Sequence, residues 1–126
     1  MKKVISSNKA PKAIGPYSQA ILCSGELLFV SGQLALGSDG NLVSDDVVIQ
    51  AEEALKNLGA ILKEAGCDYS SVVKTTVYLA DINDFGKVNE VYAEYFEKEC
   101  PARAAFEVAN LPKGAKVEIE AVACKE

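Results

Sequence analysis

The chain has 126 residues and a mass of 13.4 kDa, enough for one globular domain spanning 1–126 and too short for two. Thirteen Lys and Arg against eighteen Asp and Glu leave a net charge of −5 and an isoelectric point near 4.8, a balance that repels phosphate backbones and anionic lipid. With no histidine, Ser-His-Asp and Cys-His catalysis, His-ligated zinc and the imidazole proton shuttle are excluded.

The opening MKKVISSNKAPKAIG is basic but has no apolar stretch of signal-peptide length, and no run approaches a membrane span. A soluble, cytoplasmic protein is expected, with no membrane and no nucleic acid among its partners. Strands are predicted at Lys3 to Ser6, Ala20 to Cys23 and Leu27 to Ser31, with Gly25 turning the chain between the second and third. Apolar residues at 3- and 4-residue spacings then predict a helix over 44–65, with Ser44 as N-cap and Gly66 as a left-handed stop. A strand at Ser71 to Ala80 leads to a second helix over 83–98, capped by Asn83 or Asp84 and closed by Pro101. Two more strands, Ala102 to Ala109 and Lys116 to Cys124, complete a β-β-β-α-β-α-β-β order. That order predicts an α+β fold, a mixed sheet with both helices on one face.

Alternation assigns side chains to sheet faces. In the last strand Val117, Ile119, Ala121 and Ala123 share one side, and Glu118 and Glu120 share the other. In the strand before it, Ala102, Ala104 and Phe106 oppose Arg103 and Ala105. Turning the more apolar sets toward the helices places Arg103, Glu118 and Glu120 together on the uncovered face. Apolar residues on both sides of the Ser71 to Ala80 strand imply that a second copy of the chain covers that face.

Among the candidate site residues, the guanidinium fork of Arg103, flanked by small alanines, suits bidentate capture of a carboxylate; a salt bridge to a glutamate is the competing reading. Glu118 or Glu120 can orient a water as a general base, and alternation does not choose between them. Tyr17, in the turn Gly15-Pro16-Tyr17-Ser18-Gln19, offers a phenol to a cleft. Ser31 and Gly32 end a strand where a glycine permits close backbone approach to a ligand. Asn89 lies inside the second helix, where an amide is tolerated but not favoured. The four cysteines form no C-x-x-C pair and read as reduced thiols; no metal cluster or phosphate loop is present, so no cofactor is expected.

Taken together, IGPYSQA at 14–20, FVSGQL at 29–34, VVKTTVYLADINDFGKVNEVY at 72–92 and PARAAFEVANLPKGAKVEIEAVA at 101–123 resemble the RidA or YjgF family of reactive intermediate deaminases. The resemblance runs over essentially the whole chain. It implies a fold similar to chorismate mutase of the bacterial trimeric type, a homotrimer with clefts between subunits, and hydrolysis of 2-imino acids to 2-oxo acids and ammonia without a cofactor. It also implies roles: Arg103 clamps the substrate carboxylate, Glu118 positions the attacking water, Tyr17 and Ser31 line the pocket, and Asn89 supports the site. Where many relatives have cysteine this chain has Ala105, leaving only a backbone N–H to offer there. A metabolite-binding regulator, a chaperone, or an endoribonuclease are the alternatives, the last opposed by the negative charge and the missing histidine.

Overall fold

The computed structural model describes residues 1–126. The first strands, β1 (Lys2–Ile5) and β2 (Ala20–Cys23), pair antiparallel as a ribbon of their own, Lys2 opposite Cys23. The main sheet has the order β3-β6-β4-β5, with β3 at Glu26–Gln33, β4 at Val72–Leu79, β5 at Ala102–Glu107 and β6 at Val117–Lys125. β6 runs antiparallel to both neighbours, whereas β4 and β5 are parallel, as a strand-helix-strand crossover requires. The predicted mixed sheet with two helices is therefore present, built from four of the six strands.

The first helix, α1, spans Val47–Glu64. Its cap is Asp46 and not Ser44: the Asp46 carboxylate accepts the Ile49 N–H at 3.0 Å, while the Ser44 hydroxyl accepts the Asp46 N–H at 3.0 Å. Ser44 thus shapes the turn that leads in, and the helix starts later than predicted. Its end is as expected. Gly66 takes φ +76°, and the N–H groups of Gly66 and Cys67 donate to the Lys63 and Leu62 carbonyls at 3.0 and 2.8 Å, the paired closure of a Schellman motif.

The second helix, α2, spans Phe85–Tyr95 and is shorter than predicted at both ends. Neither expected cap acts: Asp84 sits at the cap position without a side-chain bond, and Asp81 holds the preceding turn by accepting the Asn83 N–H at 2.9 Å. The helix also stops well before Pro101. Phe96 leaves helical geometry to pack its ring 4.6 Å from Tyr92 and 5.7 Å from Tyr69, so burial of an aromatic ends the helix.

The core lies between the helices and one face of the sheet. Leu55, Leu58 and Leu62 of α1 pack with Val77, Leu79, Val117 and Ile119, and Val88 and Tyr92 of α2 close it. β6 and β4 follow the predicted alternation, with Thr75, Val77 and Leu79 inward. β5 does not. Arg103 pairs with Thr75 and Ala105 with Val77, so both face the helices, while Phe106 packs edge-on against Tyr78 on the far face at 5.4 Å. The alternation within β5 is as read and its orientation is reversed, because β5 has one large apolar residue per set at most and α2 supplies an aromatic shelter for Arg103. The far face carries Leu27, Phe29, Tyr78, Phe106 and Val122, with Phe29 71% exposed.

Candidate functional site

Arg103 stands in an aromatic box. Phe85, Asn89 and Tyr92 fall at i, i+4 and i+7 on α2 and so form one stripe toward β5. The Arg103 guanidinium carbon lies 4.9 Å from the Tyr92 ring centre and 5.4 Å from that of Phe85, and Nη1 donates to Asn89 Oδ1 at 2.7 Å. Tyr17 supplies a third ring at 5.4 Å. Its loop is docked onto the start of β5, where the Ser18 N–H donates to the Pro101 carbonyl at 3.1 Å. Beneath the box the Tyr92 and Thr75 hydroxyls share a buried hydrogen bond of 2.7 Å.

Burial lowers the Arg103 pKa from its ordinary value, against an opposing effect of Tyr92 and Tyr17, but a guanidinium stays charged at neutral pH. Burial pushes the Tyr92 hydroxyl up to about 12, which keeps it neutral and unfit as a base. No carboxylate of the chain pairs with Arg103: the ion pair that forms joins Met1 to Glu126. A half-buried guanidinium with one nitrogen held by an amide and no counter-charge is built to receive an anion, and its remaining donors favour a planar one.

A second group lies elsewhere. Glu118 projects from β6 on the far face, over Gly32 at the end of β3 and beside exposed Ser31. The two glutamates differ in partners. Glu120 accepts a hydrogen bond from the Tyr78 hydroxyl, which raises the Tyr78 pKa, whereas the Glu118 carboxylate takes no hydrogen bond from the chain and remains half-buried.

The expected grouping of Arg103 with Glu118 on one face is corrected by this geometry. Thr75 pairs with Arg103 and Tyr78 with Glu118, so the two are three residues apart along β4, about 10 Å, on opposite faces and separated by two strand spacings. One chain therefore holds the candidate residues in two separate groups: Tyr17, Asn89 and Arg103 in one, Ser31, Gly32 and Glu118 in the other. Ala105 follows Arg103 on the helix side and packs against the core. Phe85 and Tyr92 were not singled out as site residues from the sequence, although their spacing around Asn89 carried the signal. The hollows of the single chain lie away from Arg103; one of about 220 Å³ on the far face is lined by Phe29, Lys74, Thr76 and Glu120.

A family model described as endoribonuclease L-PSP matches residues 7–125. The chain is 59% identical over 124 residues to 2-iminobutanoate/2-iminopropanoate deaminase of Homo sapiens, covering 98% of this chain and 90% of that protein. Among solved structures it is similar to Escherichia coli TdcF with bound serine, at a TM-score of 0.75 and 40% identity, covering 98% of this chain and 99% of that one. It is likewise similar to the YjgF gene product of E. coli, at a TM-score of 0.75 and 42% identity over 98% and 99% of the two chains.

Proposed function

The chain belongs to the endoribonuclease L-PSP family, the YjgF/RidA proteins, and from that premise we propose that it is a deaminase hydrolysing short 2-imino acids such as 2-iminopropanoate and 2-iminobutanoate to 2-oxo acids and ammonia. The observation that carries the reading is the uncompensated Arg103 guanidinium in its aromatic box. A 2-imino acid offers the carboxylate that this group lacks. TdcF, a relative with serine bound, has an α-carboxylate ligand of the same kind.

The chemistry suits a chain without histidine. An imine carbon is already electrophilic, so hydrolysis needs a held carboxylate, an oriented water and proton traffic. Arg103 binds the carboxylate through the donors that Asn89 leaves free, and Tyr17 closes over the bound acid. Glu118 accepts a proton from water as its oxygen bonds to the imine carbon, and returns it to the nitrogen, which has taken up the C=N π pair, giving a neutral carbinolamine. Transfer of the hydroxyl proton to that nitrogen through Glu118 then lets the C–N bond break, and ammonia leaves as the C=O forms. Ser31 and the Ala105 N–H complete the pocket.

Arg103 and Glu118 of one chain are too far apart for a three- or four-carbon acid to touch both. The reading therefore includes a ring of chains in which the Arg103 half-site of one protomer meets the Glu118 half-site of the next. A head-to-tail contact that closes is cyclic, and a homotrimer is what the family resemblance implies for it. The exposed Leu27, Phe29 and Phe106 supply apolar surface for such a contact.

The direct test couples the protein to a dehydratase that releases the imine from serine or threonine and follows 2-oxo acid formation. Faster formation that depends on Arg103 is expected. A rate unchanged by excess protein, with saturable binding of a 2-oxo acid, would make the cleft a regulator's binding site instead.

A further inference from the structure

We propose that Gly32 is a positioning residue for the reaction: its missing side chain is the seat of the Glu118 carboxylate. The proposal rests on the role given to Glu118 above. β3 and β6 pair in regular register from Glu26 to Val30 and then slip before Gln33, and a slip of this kind re-aims the side chains around it. Gly32 lies in the slip, and Glu118 comes down over it from β6. A β-carbon at Gly32 would stand 1.9 Å from Glu118 Oε2, 2.7 Å from Cδ and 3.1 Å from Cγ, so that space is already filled by the chain's own carboxylate.

Backbone conformation is not what calls for glycine here. Positive φ occurs at Gly25, Gly40, Gly66 and Gly114, and Gly32 is outside that set, so an L residue fits its backbone. The glycines of the fold have different neighbours. A β-carbon at Gly25 would meet the Lys125 backbone carbonyl at 2.5 Å, and one at Gly59 the Tyr69 hydroxyl at 2.2 Å, itself pinned to the Leu55 carbonyl. At Gly32 the obstruction is the far end of a flexible side chain. Alanine at 32 therefore moves Glu118 and spares the fold, a separation of effects that a purely structural glycine would not give.

The test compares Gly32→Ala, Glu118→Ala and the double variant at matched oligomer content, reading kcat with enzymatically generated 2-iminopropanoate and affinity with pyruvate. Gly32→Ala is expected to keep the unfolding midpoint and the pyruvate affinity while kcat falls about tenfold or more, the scale of a displaced general base. In the Glu118→Ala background, Gly32→Ala should lower kcat no further. Weaker pyruvate binding with kcat retained, or losses that multiply in the double variant, would overturn the proposal in favour of direct backbone contact with the ligand. Full activity of Gly32→Ala beside an inactive Glu118→Ala would overturn the positioning role alone. Full activity of Glu118→Ala would remove the role of Glu118 and the positioning role with it.

Discussion

A lysine at position 103 would carry the same charge into the same aromatic box and present no fork. With Asn89 holding Nη1 at 2.7 Å, the guanidinium is pre-set in orientation, and an ammonium cannot both satisfy that amide and pair with a carboxylate through two parallel bonds. Arg103→Lys is therefore expected to fail nearly as badly as Arg103→Ala, each losing at least about tenfold in kcat/KM for one or two charged hydrogen bonds of about 1.5–3 kcal/mol. Retention of most activity by the lysine variant would reduce Arg103 to simple charge attraction. The glutamates separate in the same way. Glu118→Gln should lower kcat with assembly and 2-oxo acid affinity intact, whereas Glu120→Gln, which weakens the bond to Tyr78, should change stability or assembly and leave kcat of the folded fraction near normal. Alternation left these residues equivalent because it reports faces, and what distinguishes them is a neighbour on β4 that becomes visible only once the strands are in register.

The elements were legible where local chemistry decides them and less so where packing does. The Gly66 stop follows from one residue's backbone freedom, and the structure has it. At the N-terminus of α1 the sequence points to Ser44 as the cap, and the path of the chain gives that place to Asp46. Asp46→Ala should cost about 1 kcal/mol of unfolding free energy by urea titration, and Ser44→Ala less; the reverse order would return the cap to Ser44. α2 shows the other kind of limit: Phe96 leaves the helix for contacts with Tyr69 and Tyr92, residues distant in sequence or on another turn. The reversed orientation of β5 has the same origin. Turning the more apolar set inward works for β6, whose two sets differ sharply, and fails for a short alanine-rich strand in which the decisive neighbour is the ring stripe of α2.

For the molecule as a whole, the proposed roles of Arg103 and Glu118, which lie apart in one chain, require an assembly that brings them together. Sedimentation equilibrium should give about three times the chain mass, and a monomer of 13.4 kDa would remove the shared site. A sharper measurement mixes inactive partners. When Arg103→Ala and Glu118→Gln chains are unfolded together and refolded at equal amounts, mixed rings regain sites with one intact half from each chain, and about a quarter of wild-type turnover should return. No recovery would place both residues in one chain's site. The strand order carries a consequence of another kind, in time. β6, the strand between β3 and β4, follows every other strand in the chain, and Glu26 finds its partner only once residue 125 has been made. Until β6 emerges from the ribosome, β3 has no strand neighbour and β4 only β5, so the nascent chain holds open strand edges up to that point. Closure of the sheet thus waits on its last strand, and with it come the covered core and the far face proposed to meet a second protomer.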